Sequence, residues 1–147
     1  MEIRSDDGAW LRVWPVGYQF GVEAPDEWEE WDDWLVIAAE ATTADRRTWS
    51  FRDPCLTTAE AGDLARWLRR PPGEHEILFT EPNIAFRTRS GRLDVSFSHE
   101  SLPPWLPGSG LGRVYTLGLD LSDGDLARAA DQWAAEIALF PSRAAGA

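Results

Sequence analysis

Two histidines and one cysteine are the residues whose types best suit catalysis or metal binding, and their spacing supports neither. His75 lies beside a Pro-Gly turn and His99 at the end of a predicted strand, with no cysteine cluster to accompany them, so they form a poor metal signature. Cys55 lies close to a predicted helix cap, where a thiol pKa can be lowered, but the expected alternative is an inert, half-buried thiol. No serine stands in a nucleophile-elbow sequence. The sequence therefore predicts no catalytic residues, no metal site and no cofactor.

The glycine-rich run at residues 108–112 (GSGLG) does not match a phosphate-binding loop. Such a loop lies between a strand and a helix, and the Walker type requires a lysine. Here a strand is predicted to follow the run, and the chain contains no lysine. The run is predicted to be part of a loop.

The strongest charge pattern is the acidic segment, residues 23–33. The chain carries 25 acids and 14 bases for a net charge of −11, and residues 13–45 contain nine acids and no base. This distribution repels nucleic acid and anionic membranes, which excludes direct binding to either through this region, and it attracts a basic protein. The alternative is a solvated acidic loop that contributes only to solubility.

The acids and tryptophans of this segment, with one tryptophan from a proline-rich loop, are the candidate partner-binding residues. Trp28 and Trp31 lie three positions apart, on one side of a short helical turn or loop predicted over residues 25–33. Tryptophan is common among interface anchors, and a role in closing the core is equally open. The candidate set is Asp26, Glu27, Trp28, Glu29, Glu30, Trp31, Asp32, Asp33 and Trp105.

The first third of the chain is predicted to consist mainly of strands. Alternation of apolar and polar residues indicates strands over residues 10–14, 34–42 and 47–52, and residues 17–22 are a candidate hairpin partner for the first. Proline breaks strands, so Pro15 is expected to end or edge the first strand and Pro54 to end the third.

Two helices and further strands are predicted after residue 56. Thr57 and Glu60 match a capping box, and the apolar stripe that follows predicts a helix over about residues 57–69. Strands are predicted over residues 76–80, 84–89, 92–99 and 113–119, with a tight turn at Ser90-Gly91. A last helix is predicted over about residues 123–140 with Ser122 as its cap, followed by a frayed tail over residues 142–147.

These elements predict one α+β domain over residues 1–147. Strands in adjacent hairpins favour an antiparallel sheet of about six to seven strands, with the two helices packed on one face. A single cysteine excludes an internal disulfide, no apolar run reaches the ~18 residues of a membrane helix, and the acidic N-terminus does not resemble a signal peptide. Together these features predict a cytoplasmic protein.

Several sequence strings from residue 33 to residue 143 resemble the WapI-like family of bacterial immunity proteins. The most specific is WSFRDPCLTT at residues 49–58. The others are DWLVI at 33–37, ARWL at 65–68, FTEPNI at 79–84, LPPW at 102–105 and FPSR at 140–143. The acidic segment lies almost entirely before the region that carries the resemblance.

The resemblance implies a non-catalytic antitoxin that acts in the cytoplasm. In this family the namesake protects a cell from the C-terminal, tRNA-cleaving toxin domain of a contact-dependent polymorphic toxin. A cognate basic toxin domain, a nuclease, is therefore the expected partner. One alternative is a bacterial binding module whose partner is not a toxin. Another is a small hydrolase, which would need a concave site with convergent titratable groups.

Overall fold

Two four-stranded antiparallel sheets, each followed by one helix, make up the fold. The computed structural model describes residues 1–21, 33–106 and 112–143. In both sheets the strands lie in chain order. The first sheet contains β1 (Glu2–Arg4), β2 (Trp10–Tyr18), β3 (Trp34–Thr42) and β4 (Thr48–Thr57), and helix α1 (Thr58–Leu68) follows it. The second contains β5 (His75–Ile77), β6 (Ile84–Arg89), β7 (Arg92–Ser98) and β8 (Val114–Asp120), and helix α2 (Asp125–Ile137) follows it.

The α+β class is confirmed, but the predicted single sheet of six to seven strands is replaced by two sheets of four. Helix α1 separates the two groups, and strands pair only with neighbours in their own group. The strand count was low because β1 was not predicted. It has three residues, too few to show a period-two pattern.

The two sheets and the two helices share one hydrophobic core. Trp49 on β4 meets Phe97 on β7 edge to face, with ring centroids 5.1 Å apart. Trp133 on α2 is fully buried, and its indole N–H donates to the carbonyl of Ala61 on α1 at 2.8 Å. Edge-to-face aromatic pairs and a satisfied indole N–H hold these layers in fixed relative positions.

Strand β2 continues through Pro15 rather than ending there. The register of β2 against β3 shifts between Pro15 and Gly17, so the proline lies at a bulge, where a strand tolerates a missing N–H. Gly17 and Tyr18 therefore extend β2 itself, and the predicted hairpin over residues 17–22 is wrong. The antiparallel neighbours of β2 are β1 and β3.

Strand β4 likewise continues past Pro54, which was expected to end it. Leu35 pairs with Leu56 and Val36 with Pro54, so Cys55 is the extra residue of a bulge. β4 is an edge strand of its sheet, a position where strands tolerate proline. The added length carries the strand directly into α1.

Helix α1 begins with the predicted capping box. The hydroxyl of Thr57 accepts from the backbone N–H of Glu60 at 3.1 Å, and the Glu60 carboxylate accepts from the backbone N–H of Thr57 at 2.9 Å. The predicted stripe of Leu64, Trp67 and Leu68 is buried. Local sequence signals therefore suffice to place this helix.

Helix α2 is shorter than predicted and has a different cap. Gly124, in the left-handed region with φ of 84°, is the N-cap in place of Ser122. The carboxylate of Asp125 accepts from the backbone N–H of Ser122 at 2.7 Å, so the acid inside the helix supplies the contact expected from the serine. Phe140 lies beyond the end of the helix and packs on Tyr18.

The second sheet keeps the predicted β6–β7 hairpin and shifts the ends of the other strands. Ser90 and Gly91 have φ of 48° and 75°, as a two-residue type I′ turn requires. Predicted strands 76–80, 92–99 and 113–119 become His75–Ile77, Arg92–Ser98 and Val114–Asp120. In the described ranges, neither helix has the length and apolar character needed to cross a membrane.

Candidate partner-binding surface

Asp33, one of the candidate partner-binding acids, lies in the interior directly before β3. It is 1 % exposed. Its carboxylate is 3.1 Å from Nε of Arg143 and accepts from the Arg143 backbone N–H at 2.8 Å. The hydroxyls of Ser142 and Thr58 also donate to it, at 2.6 Å and 3.3 Å. This acid is therefore an internal structural group rather than a surface charge.

Arg143 ties the end of β2 to the start of β3. Its guanidinium lies 3.9 Å from the ring centroid of Tyr18 and donates to the carbonyl of Phe20 at 3.0 Å. The Tyr18 hydroxyl donates to the carbonyl of Pro141 at 2.5 Å, and partial burial raises the pKa of this phenol. We call Tyr18, Asp33, Ser142 and Arg143 the clasp.

The contacts of the clasp fix both flanks of the acidic segment, and they show that the predicted fraying is wrong for Ser142 and Arg143. Ser142 and Arg143, which were expected to fray, are held by Asp33; residues 144–147 lie outside the described ranges. On the other side, the backbone N–H of Gln19 donates to the carbonyl of Trp34 at 2.8 Å. The chain therefore leaves the first sheet and returns to it at one fixed place.

Most of the candidate set lies outside the described residues, and Trp105 lies at the rim of the core. The candidates outside the described ranges are Asp26, Glu27, Trp28, Glu29, Glu30, Trp31 and Asp32. Residues 107–111 of the glycine-rich loop also lie outside these ranges. Trp105 is half-buried and meets Trp49 edge to face at 5.3 Å. The guanidinium of Arg47 covers its ring at 4.8 Å. Packing on the core accounts for one side of Trp105, and its predicted partner contact stays a prediction.

A second group of acids, missed by sequence reasoning, surrounds the buried Asn83. The Asn83 side-chain amide donates to the carboxylates of Asp53 and Glu100, each at 3.1 Å. Partial burial, followed by the negative charges of Glu100 and Glu81, raises the pKa of Asp53. We call Asp53, Glu81 and Glu100 the Asn83 acid group. Its members come from three separate segments, so no sequence spacing could have indicated it.

The Asn83 acid group lies close to the point where the acidic segment rejoins the first sheet. Asp53 on β4 pairs with Ile37 on β3, four residues after Asp33. Four residues of strand span roughly 13 Å. Asp53 therefore lies roughly 13 Å along the sheet from Asp33, the last residue of the acidic segment.

The groups considered for catalysis are separated or inaccessible. Cys55 is fully buried, and burial followed by nearby acids raises its pKa to about 12, so at neutral pH it is a protonated thiol and a poor nucleophile. His75 pairs with Thr88 at one end of β6, whereas His99 follows the strand paired with the other end. Within the described ranges, no three His, Cys, Asp or Glu side chains converge to hold a metal ion.

Comparison with known proteins gives one match. The model of the immunity protein WapI-like family matches residues 2–141. No curated protein and no solved structure matches the chain. The family match extends the resemblance seen from residue 33 back to residue 2, so the acidic segment lies within the matched range.

Proposed function

This chain belongs to the WapI-like family of immunity proteins, and from that premise we propose that it neutralises a cognate toxin domain by binding it, without catalysing a reaction. The family match over residues 2–141 carries the proposal. We propose further that the toxin is a nuclease, that it acts in the cytoplasm, and that the immunity protein meets it there.

The charge distribution supports binding through an acidic surface. A nuclease site that grips phosphates is basic, and an acidic surface accelerates association with such a site in a way that salt screens. The acidic segment supplies most of the net charge of −11. The Asn83 acid group adds three carboxylates roughly 13 Å along the strand. The proposed interface therefore combines the acidic segment with the Asn83 acid group, and Trp28, Trp31 and Trp105 are its proposed anchors.

The clasp supports this proposal by fixing where the acidic segment leaves and rejoins the fold. Asp33 and Arg143 form a mostly buried ion pair at one flank, and Arg143 also contacts Tyr18 and Phe20 at the other. A binding segment with fixed ends has less conformational entropy to lose when it binds. The clasp is thus a positioning element for the proposed interface rather than part of it.

The direct test is inhibition of a candidate partner, the C-terminal domain of any polymorphic toxin encoded beside this gene. RNA cleavage by that domain is measured while the full chain is added in increasing amounts. We expect cleavage to stop at one immunity protein per toxin. If the domain binds nothing or cleaves RNA unchanged, the toxin-neutralising function is wrong and the alternative of a binding module with another partner is favoured.

Two variants with equal charge changes test the acidic surface separately. The acid-neutral variant carries Asp26→Asn, Glu27→Gln, Glu29→Gln, Glu30→Gln and Asp32→Asn, and it leaves the buried Asp33 intact. The control variant carries Asp6→Asn, Glu40→Gln, Glu74→Gln, Glu76→Gln and Asp123→Asn, all at exposed positions. We expect the acid-neutral variant to need at least about tenfold more protein for half-inhibition, a loss of ~1.4 kcal/mol, and the control variant to inhibit like the parent. Equal inhibition by both variants would show that the segment serves only solvation.

A further inference from the structure

A cavity of about 550 Å³ lies at the end of the helix pair opposite the clasp. The C-terminal end of α1, the turn Pro71-Pro72-Gly73, the β6–β7 hairpin and the first turn of α2 enclose it. Its volume falls in the range of small-molecule sites, about 300–1,000 Å³. No member of the Asn83 acid group lines it, so it is separate from that part of the proposed toxin interface.

The charged lining of the cavity opposes the charge of the whole chain. Among the described residues that line it are three arginines and one acid, Asp123, in a protein of net charge −11. Arg69 pairs with Asp131 at 2.9 Å and Arg92 with Asp94 at 3.1 Å. Arg70 is exposed and forms no ion pair within the described ranges, so its guanidinium is available to an anion.

Other polar groups around the cavity are donors as well. Trp67 lines it and is 4 % exposed, and its buried indole N–H has no hydrogen-bond acceptor among the described residues. The other two core indoles are satisfied: Trp49 donates to the carbonyl of Ser101 at 3.1 Å, and Trp133 donates to Ala61. The ring of Trp67 therefore borders the cavity, while its indole nitrogen is covered by the surrounding protein.

The first turn of α2 brings backbone N–H groups to the same place. Gly124, Leu126 and Ala127 belong to this turn and line the cavity. The first backbone N–H groups of a helix lack partners inside the helix and attract anions, and α2 has 13 residues. Much of the remaining lining is apolar and includes Leu68, Pro71, Pro72 and Leu121.

We propose that this cavity binds a small organic anion with an apolar body. Its carboxylate, phosphate or sulfonate group meets Arg70 and the first turn of α2, while its body lies on Leu68, Leu121 and Leu126. The proposal does not depend on the toxin-binding function, because it involves none of the same acids.

The test uses 8-anilinonaphthalene-1-sulfonate, an anion with an aromatic body, and the full chain. Fluorescence titration is expected to show saturable binding of one probe per chain. We expect Arg70→Ala to weaken binding by about tenfold through loss of a charge-assisted contact. The matched control is Arg66→Ala, which removes the same charge four residues earlier, at an exposed residue on α1 that pairs with Asp63, and it is expected to leave binding unchanged.

A spectroscopic readout locates the probe. Among the nine tryptophan indole N–H signals of the chain, the one that disappears in Trp67→Phe is expected to shift most when the probe is added. The proposal is overturned if binding does not saturate, or if Arg70→Ala and Arg66→Ala bind equally. It is also overturned if the Trp67 signal stays in place, or if the uncharged N-phenyl-1-naphthylamine binds as tightly as the anion.

Discussion

The two ends of the α1–α2 pair differ in how their charged groups are buried and paired. Helices α1 and α2 run antiparallel, since Trp133 reaches back to Ala61 while Arg69 near the end of α1 pairs with Asp131. At the clasp end, the Asp33 carboxylate is buried and satisfied by Arg143, Ser142 and Thr58. At the cavity end, about 20 Å away along α2, Arg70 is exposed without an ion pair in the described ranges.

This contrast separates structural charges from charges that remain available. A buried ion pair is stable only while both partners are present and hydrogen-bonded, so the clasp is a closed unit. Exposed ion pairs contribute little to stability, so the arginines at the cavity end can engage a ligand with little cost to the fold. The burial and hydrogen bonding of a charged group therefore indicate whether it is structural or available to a ligand.

The largest effect is expected from opening the clasp. Asp33→Ala removes the buried carboxylate that pairs with the mostly buried guanidinium of Arg143, and we expect the free energy of unfolding to fall by about 3 kcal/mol. Urea denaturation measures this loss. The control is Asp45→Ala, which breaks the exposed pair with Arg47 and should cost less than about 1 kcal/mol. Equal losses for the two variants would contradict the view of the clasp as a closed unit.

A second prediction compares the buried tryptophan of α1, Trp67, with that of α2, Trp133. Trp133→Phe breaks the indole bond to Ala61, whereas Trp67→Phe removes an N–H that has no acceptor in the described part of the chain. We therefore expect Trp133→Phe to cost about 1.5 kcal/mol more than Trp67→Phe. Thermal and urea unfolding of the two variants supply the comparison. A larger loss for Trp67→Phe would mean that its N–H is already satisfied.

The smallest effect, and the only gain, is expected at Asp53. Its pKa is raised above the ordinary 3.8, so the folded state binds this proton more tightly than the unfolded state, and stability falls as pH rises through the folded-state pKa. Asp53→Asn removes the partly buried charge that lowers stability. It should therefore raise the free energy of unfolding at pH 7 by at most about 1 kcal/mol, since solvent screens the group. The gain should vanish at pH 3, where Asp53 is protonated in both states.

The Asp53→Asn variant also tests whether the Asn83 acid group belongs to the proposed interface. If the Asn83 acid group contributes to the interface, Asp53→Asn will stabilise the free protein and slow its association with the toxin. Such a trade-off is typical of functional sites. A stabilised variant with unchanged association would remove Asp53 from the proposed interface.

Elements defined by neighbouring residues could be predicted from the sequence, and elements defined by distant contacts could not. The capping box of Thr57 and Glu60 and the Ser90-Gly91 turn depend on residues within a few positions of one another. The continuation of β4 past Pro54 depends on its being an edge strand, which no local pattern indicates. The role of Gly124 as the cap of α2 depends on its left-handed backbone, where glycine is favoured.

The candidate site depends even more on contacts between distant residues, which the sequence does not reveal. The acidic segment was visible as a run of charge, but Asp33 was grouped with the surface acids because its partner Arg143 lies 110 positions away. The cavity collects Arg70, Arg92 and Gly124 from three separate elements. Charge along the chain predicts the sign of a surface, and only the fold shows which charges are already satisfied.

The most direct test of the central claim is the association rate of this protein with the toxin domain that it inhibits, measured at low and at high salt. For the parent and the control variant, we predict fast association that slows steeply as salt is added. For the acid-neutral variant, we predict slow association with a weak dependence on salt. The same rate and the same salt dependence in all three proteins would contradict neutralisation through an acidic surface.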